Sequence, residues 1–241
     1  MGAPGLLGQT VVVIGGSSGI GLETARSARA EGASLILAAR DRERLEAVGR
    51  ELGARTEVLD ATDPAALARF FDSLSAPVDH LLLTGPGPHY APLAELDVDQ
   101  ARRDLDAHLL LPIRVARHAA GKVRAGGTLL FIGGTGGRRP ASGAVVTAMT
   151  VGMPALTKNL ALELAPVRVN LIAAGFVDTP LSASILGGRL EARREQLRAT
   201  LPVRRVVGPA DVAALAVHLM VNTAITGATV DIDGGQQLVE G

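Results

Sequence analysis

Residues 11–21 read VVVIGGSSGIG, an apolar β-branched run that passes into a glycine-rich turn and then into a segment whose apolar positions, Ile20, Ala25 and Ala28, recur at helical spacing. Strand, turn and helix in that order are the opening unit of a dinucleotide fold. Each glycine has a place in it. Gly15 takes the tight turn, Gly19 permits close approach of the backbone, and Gly21 lets the helix pack on the strand. The first-turn amides across Ser17, Ser18, Gly19, Ile20 and Gly21 then face a pyrophosphate at the positive end of the helix. A purely structural tight turn is the alternative reading of the same glycines.

Working outward, short β-branched or Leu-rich runs alternate with longer stretches of helical period, the pattern of repeated βαβ units. Strands are predicted near 10–14, 34–38, 55–59, 78–83, 127–132, 167–172 and 228–232. Helices are predicted near 19–31, 41–52, 63–75, 95–122, 142–165 and 209–221. Asp41, Asp63 followed by Pro64, and Pro209 followed by Ala210 and Asp211 supply the chemistry of helix starts. The expected fold is α/β: one doubly wound, Rossmann-type, parallel seven-stranded sheet with helices on both faces, spanning 1–241 as one domain. Residues 180–208 break the rhythm and carry an Arg/Glu-rich run at 189–198. They read either as a solvated surface helix on an inserted loop or as a lid over the substrate.

Lys plus Arg (24) balance Asp plus Glu (24), so no basic footprint argues for nucleic acid or an anionic membrane. The partner expected is a small molecule. Without Cys there is neither a disulfide framework nor a thiolate metal site, and no metal is expected. The opening MGAPGLLGQT lacks a basic stretch followed by a sustained apolar one. Runs such as 11–14 and 81–83 fall far short of the roughly 20 residues that cross a bilayer. A cytoplasmic protein with no membrane partner is expected.

The end of the second strand, LILAARDRERL, selects the cofactor. An NAD site places an acidic residue there for the ribose hydroxyls, whereas this chain has Ala39 and then Arg40. Arg40 favours the 2′-phosphate of NADP(H), unless it pairs instead with Asp41 or Glu43.

Together with GGSSGIG, the stretches LDATD at 59–63, LTKNLALELAPVRVNLI at 156–172, GFVDTPL at 175–181 and DIDGG at 231–235 make the chain resemble the short-chain dehydrogenase/reductase family over nearly its whole length. The resemblance implies that Asp60 and Ala61 border the adenine, Thr84 and Gly85 line the cofactor cleft, and Val177 and Thr179 meet the nicotinamide carboxamide. It also implies a homotetramer or homodimer built on the helices around 95–122 and 142–165.

The same resemblance places a catalytic Tyr at Val146, its Lys at Thr150, a Ser at Gly133 and an Asn at His108, so all four positions are replaced. No shift of alignment restores them, because Tyr90 is the only Tyr and Lys122 and Lys158 are the only Lys. His108, four residues before Pro112, and Tyr90, on the loop leaving the fourth strand, are the candidate proton donors. Local packing is the competing role for each. Backbone amides of Gly133 and Gly134 are candidates for polarising a substrate oxygen, and Arg138 and Arg139 for attracting an anionic group or pairing with a neighbouring subunit. Three functions follow as expectations: an NADP(H)-dependent oxidoreductase moving hydride to or from a small carbonyl, alcohol or imine with an atypical proton donor; a redox-inactive dinucleotide-binding partner or sensor; or non-redox proton or carbon–carbon bond chemistry in the same cleft, for which no motif speaks.

Overall fold

A computed structural model describes residues 5–138 and 143–239. Seven strands, β1 (Thr10–Ile14), β2 (Ser34–Ala39), β3 (Arg55–Val58), β4 (Val78–Leu83), β5 (Val123–Gly134), β6 (Arg168–Ala174) and β7 (Thr229–Ile232), form one sheet in the order β3-β2-β1-β4-β5-β6-β7. All six strand pairings are parallel. Nine α-helices among the described residues connect or flank them: α1 (Gly19–Ala30), α2 (Arg42–Leu52), α3 (Pro64–Asp72), α4 (Val98–Leu105), α5 (Leu111–Ala119), α6 (Ala144–Glu163), α7 (Pro180–Leu186), α8 (Leu190–Thr200) and α9 (Pro209–Val221).

Alternation along the strands builds two cores. Val12, Ile14, Leu81, Leu83, Leu129 and Phe131 face one side with α3, α5 and α6. Val11, Val13, Leu35, Leu37, Leu82 and Leu130 face the other with α1, α2 and α9. The helix starts follow the predicted chemistry. Asp41 accepts from the Arg44 amide at 3.0 Å and Asp63 from Ala65 at 2.8 Å, while Asp211 takes the Gly208 amide at 2.9 Å ahead of Pro209. α6 has the length and composition to cross a membrane, but it packs on β6 and buries Met149, Met153, Thr157 and Leu160.

The single helix expected over 95–122 is instead α4 and α5 separated by a π turn, Asp106–Leu110. Pro112 has no N–H to give the His108 carbonyl, and its ring crowds that carbonyl. The chain widens by one residue there, and the Leu111 amide reaches back to the Asp106 carbonyl. In the 180–208 region two helices form, α7 and α8, and Leu197 and Leu201 are buried. Their burial explains why the region is not simply a solvated excursion.

Candidate active site

The chain runs β1 to β2 on one side and returns to place β4 on the other side of β1. A crevice therefore opens at the carboxyl ends of β1 and β4, where the winding reverses. Gly15 stands at its base with φ +90°. A Cβ there would overlap Thr84 Oγ1, which donates to the Ile14 carbonyl at 3.2 Å. A Cβ on Gly21 would overlap the Gly15 carbonyl oxygen, so both glycines are required for the helix to close on the turn. Ser17 is buried and Ser18 is the extended N-cap residue of α1, with no side-chain cap bond. The first-turn amides at Gly19, Ile20 and Gly21 thus receive no acceptor from Ser18, as a site for phosphate requires. Across the crevice, Thr179 packs 3.6 Å from the Cβ position of Gly19.

Arg40 lies at the exposed end of β2. Its guanidinium makes no hydrogen bond or ion pair among the described residues, and Asp41 pairs with Arg44 instead. The alternative of a surface pair with Asp41 or Glu43 is therefore not adopted. Asp60 accepts from the Thr62 amide at 3.0 Å and the Thr62 hydroxyl at 2.7 Å. That hydroxyl, then the amide and the Arg40 charge, hold its carboxyl below the ordinary value against the opposing effect of burial. Asp60 and the neighbouring Ala61 thus form a fixed turn on the Arg40 side of the crevice. Gly85 is exposed with open space around it. Val177 is buried, bridges to Val207, and accepts the Ser182 hydroxyl at 2.5 Å; Thr179 caps α7 by accepting the Ser182 amide at 3.3 Å.

The two α6 positions at which the resemblance would put a Tyr and a Lys are covered. Val146 and Thr150 are both buried, and the short turn Gly136–Arg138 lies directly on them. A Cβ at Gly137 would stand 2.5 Å from Thr150 Oγ1 and 2.5 Å from the Val146 carbonyl. Arg138 fastens this turn by a two-pronged pair with Asp231, one contact at 2.7 Å, so the expected anionic ligand or neighbouring subunit is replaced by a carboxylate of the same chain. Arg139 lies outside the described residues. Gly133 and Gly134 pair with Ala173 and Ala174 of β6.

His108 is tied at both ends. Nδ1 is 2.9 Å from the Asp104 carbonyl and Nε2 is 3.0 Å from the Pro86 carbonyl. Only a doubly protonated ring donates to both, and acting as a proton donor would cost one of these tethers. Tyr90 is 58% exposed overall, but its hydroxyl end reaches to 3.9 Å from the Gly136 Cβ position. Burial of that end raises the phenol above its ordinary value, and the hydroxyl has no hydrogen-bond partner among the described residues.

Beside them lies a cluster that no local pattern announces. The buried Asp104 carboxylate accepts from the His89 amide and ring Nδ1, both at 3.1 Å, and from Gln100 Nε2 at 3.0 Å. Burial would raise its carboxyl, but the His89 and Gln100 hydrogen bonds win and hold it below the ordinary range. His89 thus points to α4 while Tyr90 points to the β5 turn. Together with His108, this cluster fixes the loop 84–90 against α4 and the π turn.

α7 touches both the glycine turn and the loop after β4. Its capping Thr179 meets the glycine turn, and Ile185 and Leu181 come within 2.8 and 3.3 Å of the Gly87 Cβ position on the loop after β4. Arg194 of α8 clamps Asp178 at 2.8 and 3.0 Å. The contacts of α7 with Gly87 and Gly19 join residues about 100 and 160 apart in sequence, which local patterning does not reveal.

The family model described as enoyl-(acyl carrier protein) reductase matches residues 14–237. The chain belongs to the short-chain dehydrogenase/reductase family. It is 30% identical over 253 residues to the short-chain dehydrogenase/reductase ATR9 of Stachybotrys chlorohalonatus, covering 96% of this chain and 98% of that protein. It is 31% identical over 249 residues to a cis-4-hydroxycyclohexanecarboxylate dehydrogenase of Sinomonas cyclohexanicum, covering 96% and 97%. A small-chain dehydrogenase solved in complex with NADPH superposes with TM-score 0.83 at 28% identity, covering 96% of this chain and 99% of the other. Membership of this oxidoreductase family agrees with the parallel seven-stranded sheet and the crevice at its winding reversal.

Proposed function

We propose that this short-chain dehydrogenase/reductase is an NADP(H)-dependent oxidoreductase that moves hydride to or from a small carbonyl, alcohol or imine. The observation that carries the reading is the Arg40 guanidinium, without a hydrogen bond or ion pair among the described residues, beside a turn whose Gly15 and Gly21 have no room for a Cβ. The turn at Gly15, Ser17, Ser18, Gly19, Ile20 and Gly21 would hold the pyrophosphate. Arg40 would hold the 2′-phosphate, Asp60 and Ala61 the adenine edge, Thr84 and Gly85 the ribose side, and Val177 and Thr179 the carboxamide. When bound, the dinucleotide supplies or accepts the hydride.

The chain's own contribution is placement and exclusion of water. α7 covers the crevice, and His108 with the His89–Asp104 pair holds the loop that carries Tyr90. Where a carbonyl is reduced, Tyr90 is the protein group that supplies the proton, with no Lys to lower its pKa. Its high pKa makes it a slow acid. Tyr90→Phe is expected to lower carbonyl turnover by about tenfold to a hundredfold, below the usual range for a well-tuned acid, while leaving dinucleotide affinity unchanged. Full activity of that variant would remove Tyr90 from the reading. Tight dinucleotide binding without turnover of any carbonyl, alcohol or imine would replace the oxidoreductase with a sensor.

The exposed Leu110 and Ile113 at α5 and Val151 and Leu162 on α6 offer apolar surface to a second copy, which supports a homodimer or homotetramer. Equilibrium sedimentation tests this; a monomer at micromolar concentration would contradict it.

A further inference from the structure

We infer that the preferred hydride acceptor of this cleft is an iminium cation, a carbon–nitrogen double bond already carrying its positive charge. The inference rests on the proposed NADP(H) chemistry and concerns what the protein lacks the means to provide to a substrate.

Reducing a ketone adds hydride to carbon and leaves an alkoxide, which must receive a proton as it forms. The whole chain has one phenol and two lysines to serve that need. Lys122 donates to the Leu74 carbonyl at 3.2 Å, at the amino end of β5 and away from the crevice. Lys158 is exposed two turns along α6 from Thr150. The phenol of Tyr90 is raised by burial rather than lowered by a cation. His108 has both nitrogens on carbonyl oxygens, and His89 turns its Nδ1 to Asp104.

Space for the missing pair is also closed. Gly137 sits over Val146 and Thr150 with no room for its own Cβ, and Arg138 with Asp231 locks that turn in place. Arg138 has its charge neutralised by this pairing, so it neither protonates a product nor stands as a bare cation against a charged substrate.

An iminium ion needs none of these groups. The new bond is carbon to hydride; the carbon–nitrogen π pair becomes the nitrogen lone pair; the substrate is reduced to a neutral amine. The reduced dinucleotide is oxidised and takes up the positive charge. No proton enters or leaves.

The test uses the full-length protein with NADPH, N-methyl-3,4-dihydroisoquinolinium as the cation and 2-tetralone as a neutral ketone of similar size, with rates taken above those without protein. The expected result is a kcat/KM for the cation about a hundredfold or more above that for the ketone. Its rate should be flat from about pH 6 to about pH 9, with a solvent deuterium effect near unity, as a step without proton transfer requires. Calorimetry on the protein saturated with NADP should show the cation binding at least as tightly as 2-tetralone. Equal or faster ketone turnover, a bell-shaped pH profile for the cation, weaker binding of the cation, or NADPH binding with no cation turnover would each overturn the inference while leaving dinucleotide binding intact. Absence of NADPH binding in the same calorimetry would instead remove the proposed function beneath it.

Discussion

Thr84 closes on Gly15: its hydroxyl donates to the Ile14 carbonyl at 3.2 Å and occupies the place of any Cβ at Gly15. The end of β4 and the turn after β1 are thus pressed together at the sheet's winding reversal, and the cradle exists only because one of the two residues has no side chain.

Gly15→Val is therefore expected to cost both stability and binding. A φ of +90° is strained for an L residue by about 1–2 kcal/mol, and displacement of Thr84 adds to it. NADPH affinity should fall by at least about tenfold, or about 1.4 kcal/mol, in calorimetry on the folded fraction. Unchanged affinity would mean the phosphates lie elsewhere.

Arg40→Ala separates the two phosphates of the ligand. Loss of a charge-assisted contact to the 2′-phosphate should cost about 1.5–3 kcal/mol in NADPH affinity, roughly tenfold to a hundredfold, and leave NADH affinity within about twofold. Parallel losses for both dinucleotides would show that Arg40 acts on the fold rather than on the extra phosphate.

Restoring the family's pair by Val146→Tyr with Thr150→Lys should fail to raise carbonyl turnover. Gly137 stands 2.5 Å from Thr150 Oγ1 by its Cβ position, so larger side chains meet the turn that Arg138 and Asp231 hold. The double variant should instead lose about 1–3 kcal/mol to overpacking, read by urea denaturation. A gain of about a hundredfold in carbonyl turnover would show that the turn yields easily.

His80 in β4 is 3% exposed, with Nε2 on Gln9 Oε1 at 2.6 Å and Nδ1 without a partner. Burial, reinforced by Arg168 and opposed by Asp79, lowers its pKa to about 4. The unfolded chain takes up this proton near 6.5, so the folded state has its full advantage above about pH 6.5 and loses it as pH falls towards 4. The loss approaches about 1.4 kcal/mol per pH unit within that window, about 3 kcal/mol in all. Urea denaturation of the wild type and His80→Gln at several pH values isolates this slope; an identical pH dependence in both would contradict it.

The features readable from sequence are those set by neighbouring residues. The unit at 11–21 gave the strand, turn and helix because apolar alternation, positive-φ glycines and helix spacing all act within a few residues. The Asp and Pro helix starts were legible for the same reason. Pro112 announced a disturbed carbonyl at His108, but not that the chain would absorb it by a π turn. What stayed hidden depends on distant partners: Arg138 on Asp231, Ile185 over Gly87, His108 on Pro86, and Gly137 across Thr150. That Val146 and Thr150 are neither Tyr nor Lys is visible in the letters, whereas the turn that lies on them is not.

The most direct test of the account is calorimetric titration of the purified wild-type chain with NADPH and with NADH under identical salt. Saturable one-site binding with NADPH at least about tenfold tighter is the result expected from Arg40 and the glycine cradle. No binding of either dinucleotide, or tighter binding of NADH, would contradict it.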